Sequence, residues 1–365
     1  MHRFYSLNMS PFITGVFLWC YRRGGGGCYN ILCWFWQFVP LFFRKRLEIG
    51  VRSLLWWRNG GRAADPGERD VETSETLVDP TDEFYCSYDS TWEDEPSQNR
   101  SIEMSSLPRS NRYKFRRFQN AAKDMQTYRH DYPNQPRNQH LSKPEARPNL
   151  MFYLGQHPCL PDGLHISDIH KEWHGDYNKL EYVHTYIQWL FPLQEPGVNS
   201  EASILTKQEI TDFLNNSFAK KNLLKSYKLM LDFYGIELIN EITGDVRKTE
   251  NWMERFDNFN RHTHNSLRIT RILKCLGTLG YRDYQAPLVK FFLVETLVNG
   301  QLPNIKESVL NYFVFAVLDK KKRRNLLKFA YENYEPKEEF VWCPKKIQMF
   351  WLQQMKIQNG REKSP

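Results

Sequence analysis

The chain of 365 residues is 41% hydrophobic, 15% aromatic and 25% charged, with a formal net charge of +8. That composition supplies a large, ring-rich core and excludes reading the whole chain as disordered, while the basic excess points toward acidic partners: nucleic acid, an anionic membrane face or acidic protein. The seven cysteines, at 20, 28, 33, 86, 159, 275 and 343, form no C-x-x-C pair, which argues against a zinc ribbon or disulfide framework and for thiols in a reducing compartment.

Residues 1–57 come first and are unusual. The stretch 24–43, GGGGCYNILCWFWQFVPLFF, carries no charge and is flanked by Arg22, Arg23, Arg44, Lys45 and Arg46. Its apolar part is shorter than the ~18–20 residues of a spanning helix, and Pro40 weakens it further. Three readings stand: a membrane anchor or interfacial segment within 24–57, an extension outside the folded part that reflects a mis-set start, or a segment packed on the domain. Residues 58–111 are turn-rich, then acidic and poor in aliphatics, a composition that buries too little apolar surface to offset chain entropy. A disordered linker is expected there. Its acidic–aromatic piece, YDSTWEDE at 88–95, is either solvated linker or a ligand for a basic surface.

From about 112 the pattern is helical. RYKFRRFQNAAKDMQTYRHDYP predicts a basic helix stopped by Pro133, followed by an irregular proline-rich stretch over 134–165. Ser167 and Asp176 are predicted caps, the second for a helix carrying Leu180, Val183, Ile187 and Leu190 on one stripe. Thr206 and Glu209 form a capping-box pattern. The clearest amphipathic helix is 217–235, with Leu223, Leu224, Tyr227, Met230, Leu231 and Tyr234 on one face and Gly235 at its end. EITGDV marks a turn, and helices follow through Trp252, Phe256 and Phe259 and over HNSLRITRILKCLGTLG. The latter is expected to bury Ile269, Ile272, Leu273, Leu276 and Leu279 and to present Arg268, Arg271 and Lys274 to solvent. The segments 287–298 and 308–318 are apolar all round and read as buried central helices, too short to span a bilayer. No alternating strand pattern stands out, and the tail at 345–365 is read as a basic, loosely attached last helix. The fold class is therefore all-α: a single large multi-helix globular domain over 112–344, preceded by the acidic linker.

Catalytic signatures do not emerge. G-x-x-x-x-G-K-[ST], G-x-G-x-x-G and G-x-S-x-G do not occur, so no catalytic residue and no cofactor is predicted. His165, His170 and His174 cluster, but the H-E-x-x-H order is missing, and surface histidines near a helix end are preferred over a metal site. Lys320, Lys321, Lys322, Arg323 and Arg324 form a basic five-mer that serves either nuclear import or as solvated cover of a helix end. The aromatic interleaving of a single-strand binder is not distinct, so nucleic acid is not the expected partner.

The strings YRHDYPN, HTYIQWLFPLQEPGVN, LMLDFYGIEL, HNSLRITRILKCLGTLG, APLVKFFLVETLV and FVWCP, in this order over roughly 112–344, resemble the conserved domain of the opioid growth factor receptor family. DSTWED is similar to that family's acidic amino-terminal part. The resemblance implies a non-enzymatic receptor for the opioid pentapeptide methionine-enkephalin that restrains cell proliferation, at the nucleus and perinuclear membrane with a cytoplasmic pool; the basic five-mer adds a nuclear import receptor as an expected partner. Such a ligand needs an acid, an aromatic groove and an arginine. Tyr186, Trp189, Trp252, Arg268 and Arg271 are residues of the required types. Tyr186–Phe191, set before Pro192, can also be a helix end turned for packing alone. The alternative function is a nuclear scaffold or adaptor whose basic surface binds acidic partners.

Overall fold

A computed structural model describes residues 89–92, 109–132 and 147–361. Residues 1–57, most of the acidic linker and the last four residues lie outside that set, and so do the expectations placed on them. The regular structure of the described part is helical apart from one two-stranded sheet and an isolated bridge between Cys159 and Leu164. No helix among the described residues is long and apolar enough to cross a membrane.

Helix α1 (Arg109–Arg129) buries Phe115, Phe118, Ala122, Met125 and Tyr128, a stripe at helical spacing. It ends before Pro133 through Asp131 and Tyr132, which adopt left-handed φ values of 57° and 49°. The proline-rich stretch is not wholly irregular, because α2 (Pro148–Tyr153) starts on Pro148. Its first turn is held by Glu209, which accepts from Leu150 N at 2.8 Å and from Asn149 Nδ2 at 3.0 Å. Helix α3 (Ile166–Glu172) begins one residue before Ser167: Asp168 reaches back to the His165 N–H at 3.1 Å. Asp176 caps α4 (Tyr177–Tyr182) as the sequence indicates, accepting from Lys179 N. The short α5 (Ile187–Leu190) follows.

Thr206 caps α6 (Lys207–Leu214) by accepting from Glu209 N at 3.1 Å. Helix α7 (Ser217–Phe233) buries Leu223, Tyr227, Met230 and Leu231 and stops at Gly235, whose φ of +73° favours glycine. The sheet comes next. β1 (Ile236–Leu238) pairs antiparallel with β2 (Val246–Lys248), in the register Ile236 to Lys248 and Leu238 to Val246. The connecting turn was readable, but strands of three residues carry no period that composition can reveal.

Helices α8 (Trp252–Arg261), α9 (Asn265–Thr278) and α10 (Gln285–Leu293, continued by a π-turn at Val294–Val298) enter the centre. α11 runs over 306–316 with a second π-turn at Val309–Phe313. Leu288, Val289, Phe292, Leu310, Phe313 and Val314 are fully buried, as expected for apolar segments without a polar face. The centre is tied by one amide: Gln285 Nε2 donates to Leu273 O and Ala316 O, both at 2.9 Å, and to the Tyr128 hydroxyl, while Gln285 Oε1 accepts from Leu318 N. Gly277 lets these groups meet, since a Cβ there would collide with the Tyr128 hydroxyl.

Helix α12 (Lys320–Asn333) and α13 (Lys345–Arg361) complete the chain. The first half of α13 is firmly attached, contrary to the loose helix expected. Gln348 Nε2 donates to Phe340 O and Cys343 O, and Trp351 is buried against Tyr331. Cys159, Cys275 and Cys343 are buried thiols.

Candidate functional site

The residues predicted to meet a ligand occupy three different settings. Tyr186 and Trp189 are core side chains. The Tyr186 hydroxyl donates to Leu180 O at 2.8 Å, and Trp189 Nε1 donates to Leu160 O at 3.0 Å. YIQWLFP therefore marks a buried helix end whose rings have no access to solvent. Trp252 is half-buried, with the Lys248 ammonium 4.1 Å from its ring centroid.

The arginines overturn the expectation of a solvated face on α9. Arg268 is buried, at 6% exposure. Its guanidinium donates to Leu180 O at 2.7 Å and to Glu181 O and Val183 O at 3.1 Å, and meets Asn265 Oδ1 and His184 Nδ1. It thus closes the carboxyl end of α4, where helical carbonyls have no partner of their own. Arg271 Nε donates to Phe191 O at 2.7 Å, and burial lowers its pKa. Lys274 bridges Asp124 and Glu195. The polar side of α9 faces the ends of neighbouring elements rather than water, a distinction that 3.6-residue periodicity cannot make.

The basic five-mer is corrected too. It forms the first turn of α12, a helix amino terminus rather than a carboxyl end, and Asp319 caps it by accepting from Lys322 N at 2.8 Å. Lys320 and Lys321 are exposed, Lys322 pairs with Asp283 at 2.6 Å, and Arg323 is buried at 2% exposure. Burial first, and then Arg129, depresses the Arg323 pKa to about 9. In the folded chain the five side chains of the string lie in different surroundings.

Two further surface features among the described residues bear on ligand binding. One is a groove of about 440 Å³ lined by Leu154, Ile166, His170, Phe218, Lys171 and Lys225 among others. Phe218 is 54% exposed there. His170 Nε2 lies 2.9 Å from Ser226 Oγ, and burial, reinforced by Lys225, pushes its pKa down to about 4. The second is the seat of Asp89–Trp92, four linker residues held against α1, α12 and α13. Asp89 pairs with Arg129 at 2.5 Å, with both side chains buried. Arg323 Nε donates to Thr91 Oγ1 and Arg324 Nε to Thr91 O, each at 2.8 Å. The docked reading of the acidic–aromatic piece therefore holds for these residues. The sequence shows the acidic–aromatic character of this piece, but not where it binds. Among the described residues no group of three or more His, Cys, Asp or Glu side chains is placed to hold a metal.

Residues 142–348 match the family model described as the opioid growth factor receptor conserved region. The mouse opioid growth factor receptor-like protein 1 is 48% identical over 229 residues, covering 63% of this chain and 48% of that protein. The Xenopus tropicalis protein of the same name is 49% identical over 224 residues, 61% of this chain and 43% of its own length. The human opioid growth factor receptor is 47% identical over 227 residues, 61% of this chain and 33% of the receptor. The chain thus spans about half the length, or less, of these curated relatives. No solved structure matches.

Proposed function

The chain belongs to the opioid growth factor receptor family, and from that premise we propose that it is a non-catalytic receptor that binds opioid growth factor, the peptide methionine-enkephalin, and restrains cell proliferation. The observation that carries the reading is the match over 142–348, which takes in all of the helical domain after α1 up to the first residues of α13. The groove beside His170 supports it chemically. Phe218, Ile166 and Leu154 offer apolar wall for a ring and a thioether, and Lys171 and Lys225 offer cations for a terminal carboxylate. No carboxylate lines the groove, so the peptide ammonium would remain in water. Action at the nucleus and perinuclear membrane, with a cytoplasmic pool, belongs to the same proposal; so do import by a nuclear import receptor and membrane association through residues 24–57.

Calorimetry of the full chain with methionine-enkephalin tests the reading. Saturable binding that Phe218→Ala or Lys225→Glu weakens at least about tenfold is expected, as is weaker binding of the amidated peptide. Absence of binding, or binding indifferent to both substitutions, would remove the receptor reading or its seat respectively. A scaffold or adaptor that takes acidic partners is the second reading. It is favoured by one observation, the acidic–aromatic segment held by Arg129, Arg323 and Arg324.

A further inference from the structure

Asp89–Trp92 is held as a ligand is held, by side-chain recognition rather than by secondary structure. Each residue has its own partner. The Asp89 carboxylate meets Arg129 and accepts from the Thr91 hydroxyl at 2.9 Å. Ser90 Oγ donates to Gln126 Oε1 at 3.1 Å and approaches His130. Thr91 takes one guanidinium at its hydroxyl and another at its carbonyl. Trp92 stands edge-to-face on Trp351, with ring centroids 5.7 Å apart, and the Arg324 guanidinium lies 5.4 Å from its ring. Asp89 and Thr91 are fully buried.

The receiving side is built from the domain's own backbone. Arg129 Nη1 donates to Phe315 O at 2.6 Å, and Arg323 Nη1 to Val317 O at 2.5 Å, so both guanidinia are aimed by the carbonyls that end α11. A preorganised site of this kind costs little to fill. Leaving it empty is costly. Arg129 and Arg323 sit close enough to depress the Arg323 pKa, and without a carboxylate two buried cations would face each other unneutralised. The cleft therefore calls for an anion. Yet the resident occupant fits imperfectly: among the described residues Asp89 Oδ2, Trp92 Nε1 and Arg129 Nε find no hydrogen-bond partner. Unmet buried polar groups subtract from the net gain of docking, which keeps the hold on the resident segment modest.

We propose that the cleft between α1, α12 and α13 is a binding site for acidic–aromatic peptide segments of the form Asp-x-Thr-Trp, that Asp89–Trp92 plugs it in cis, and that such a segment of an acidic partner protein displaces the plug. A partner is preferred to a second copy because two chains of net charge +8 repel each other, whereas an acidic protein is drawn in. The inference develops the adaptor reading and is independent of enkephalin. A chain that binds no enkephalin can still pass the test below, and the reverse holds too.

The probe is a fluorescently labelled nonapeptide, SYDSTWEDE, corresponding to residues 87–95. Its binding to the full chain is followed by polarisation. A tethered segment acts at an effective concentration of roughly millimolar, so the wild type should bind the probe at least about tenfold more weakly than the vacated chain Asp89→Ala/Trp92→Ala. Probes lacking the aspartate or the tryptophan should bind neither chain. Independently of the variant's folding, saturating probe should speed hydrogen exchange at the amides of Ser90, Thr91 and Trp92 in the wild type. Equal affinity for wild-type and vacated chains of native circular dichroism overturns the proposal. So does probe binding that leaves exchange at those amides unchanged. A probe-sensitive dimer in light scattering would assign the seat to a second copy and overturn the partner.

Discussion

Replacing Arg268 with methionine keeps most of the stem volume and removes the fork that closes α4. Two main-chain carbonyls lose their donor, those of Glu181 and Val183, while that of Leu180 keeps the Tyr186 hydroxyl. An orphaned buried acceptor costs about 1–3 kcal/mol. The Val183 carbonyl lies in a half-buried setting where water can replace the guanidinium, so the sum falls short of two full penalties. A loss of about 2–4 kcal/mol follows, or a melting temperature lower by roughly 5–10 °C for a domain of this size. Arg268→Lys should recover less than half, because one ammonium cannot span the acceptors that the planar fork reaches. Urea unfolding of the full chain, followed by tryptophan fluorescence, reads both variants, with the midpoint falling and the slope unchanged. A loss below about 1 kcal/mol for Arg268→Met would show that the helix end is satisfied without the arginine. If that variant instead weakened peptide binding at native stability, the solvent-facing role expected from the sequence would be restored.

Leu231→Ala, in the buried stripe of α7, should cost roughly 2–5 kcal/mol in the same assay, and a loss under about 0.5 kcal/mol would mean the stripe is not core. Arg323→Glu should destabilise strongly, placing a carboxylate where Val317 O, Thr91 and Asp89 expect a cation, while Lys321→Glu at the exposed surface should leave the melting temperature within about 2 °C. Equal melting temperatures for the two variants would contradict the burial of Arg323. His170 gives a pH dependence. Its folded pKa of about 4 lies below the ordinary 6.5, so the unfolded chain binds the extra proton, and this stability is present above pH 6.5 and lost as pH falls toward 4. Between pH 7 and pH 5 the wild type should lose about 1–2 kcal/mol more than His170→Gln, and parallel curves would refute the half-buried neutral imidazole.

Apolar periodicity was sufficient for α7, for α10 and for the buried side of α9, because burying those side chains dominates the free energy of each helix. Caps at Asp176 and Thr206 were legible for a local reason: a side chain bonding three residues ahead depends on nothing distant. The candidate site was far less legible. Arg268 and Arg271 are spaced like a solvated face, and only the arrival of α4 and Phe191 turns that face inward. Lys320–Arg324 reads as one signal, yet its side chains divide between solvent, Asp283 and the Thr91 seat. Those partners lie far away in sequence, up to 232 residues for Thr91 and Arg323, and no window along the chain contains both ends.

The amide of Gln285 has a consequence for how the protein is made. It joins Tyr128, 157 residues earlier, to carbonyls on either side of itself, and Arg129 on the same first helix is held by Phe315, 186 residues later. Helix α1 leaves the ribosome with its apolar stripe complete but with its partners still unwritten. At about 5–20 residues per second, the ribosome needs roughly 10–40 s more before Phe315 exists to receive it. During that interval Phe115, Phe118 and Met125 form an exposed sticky strip on a nascent chain. The last third of the message therefore governs the solubility of the first helix, and slow codons or a truncation anywhere before 316 should send the chain to holdase chaperones or to aggregates rather than to a smaller folded product.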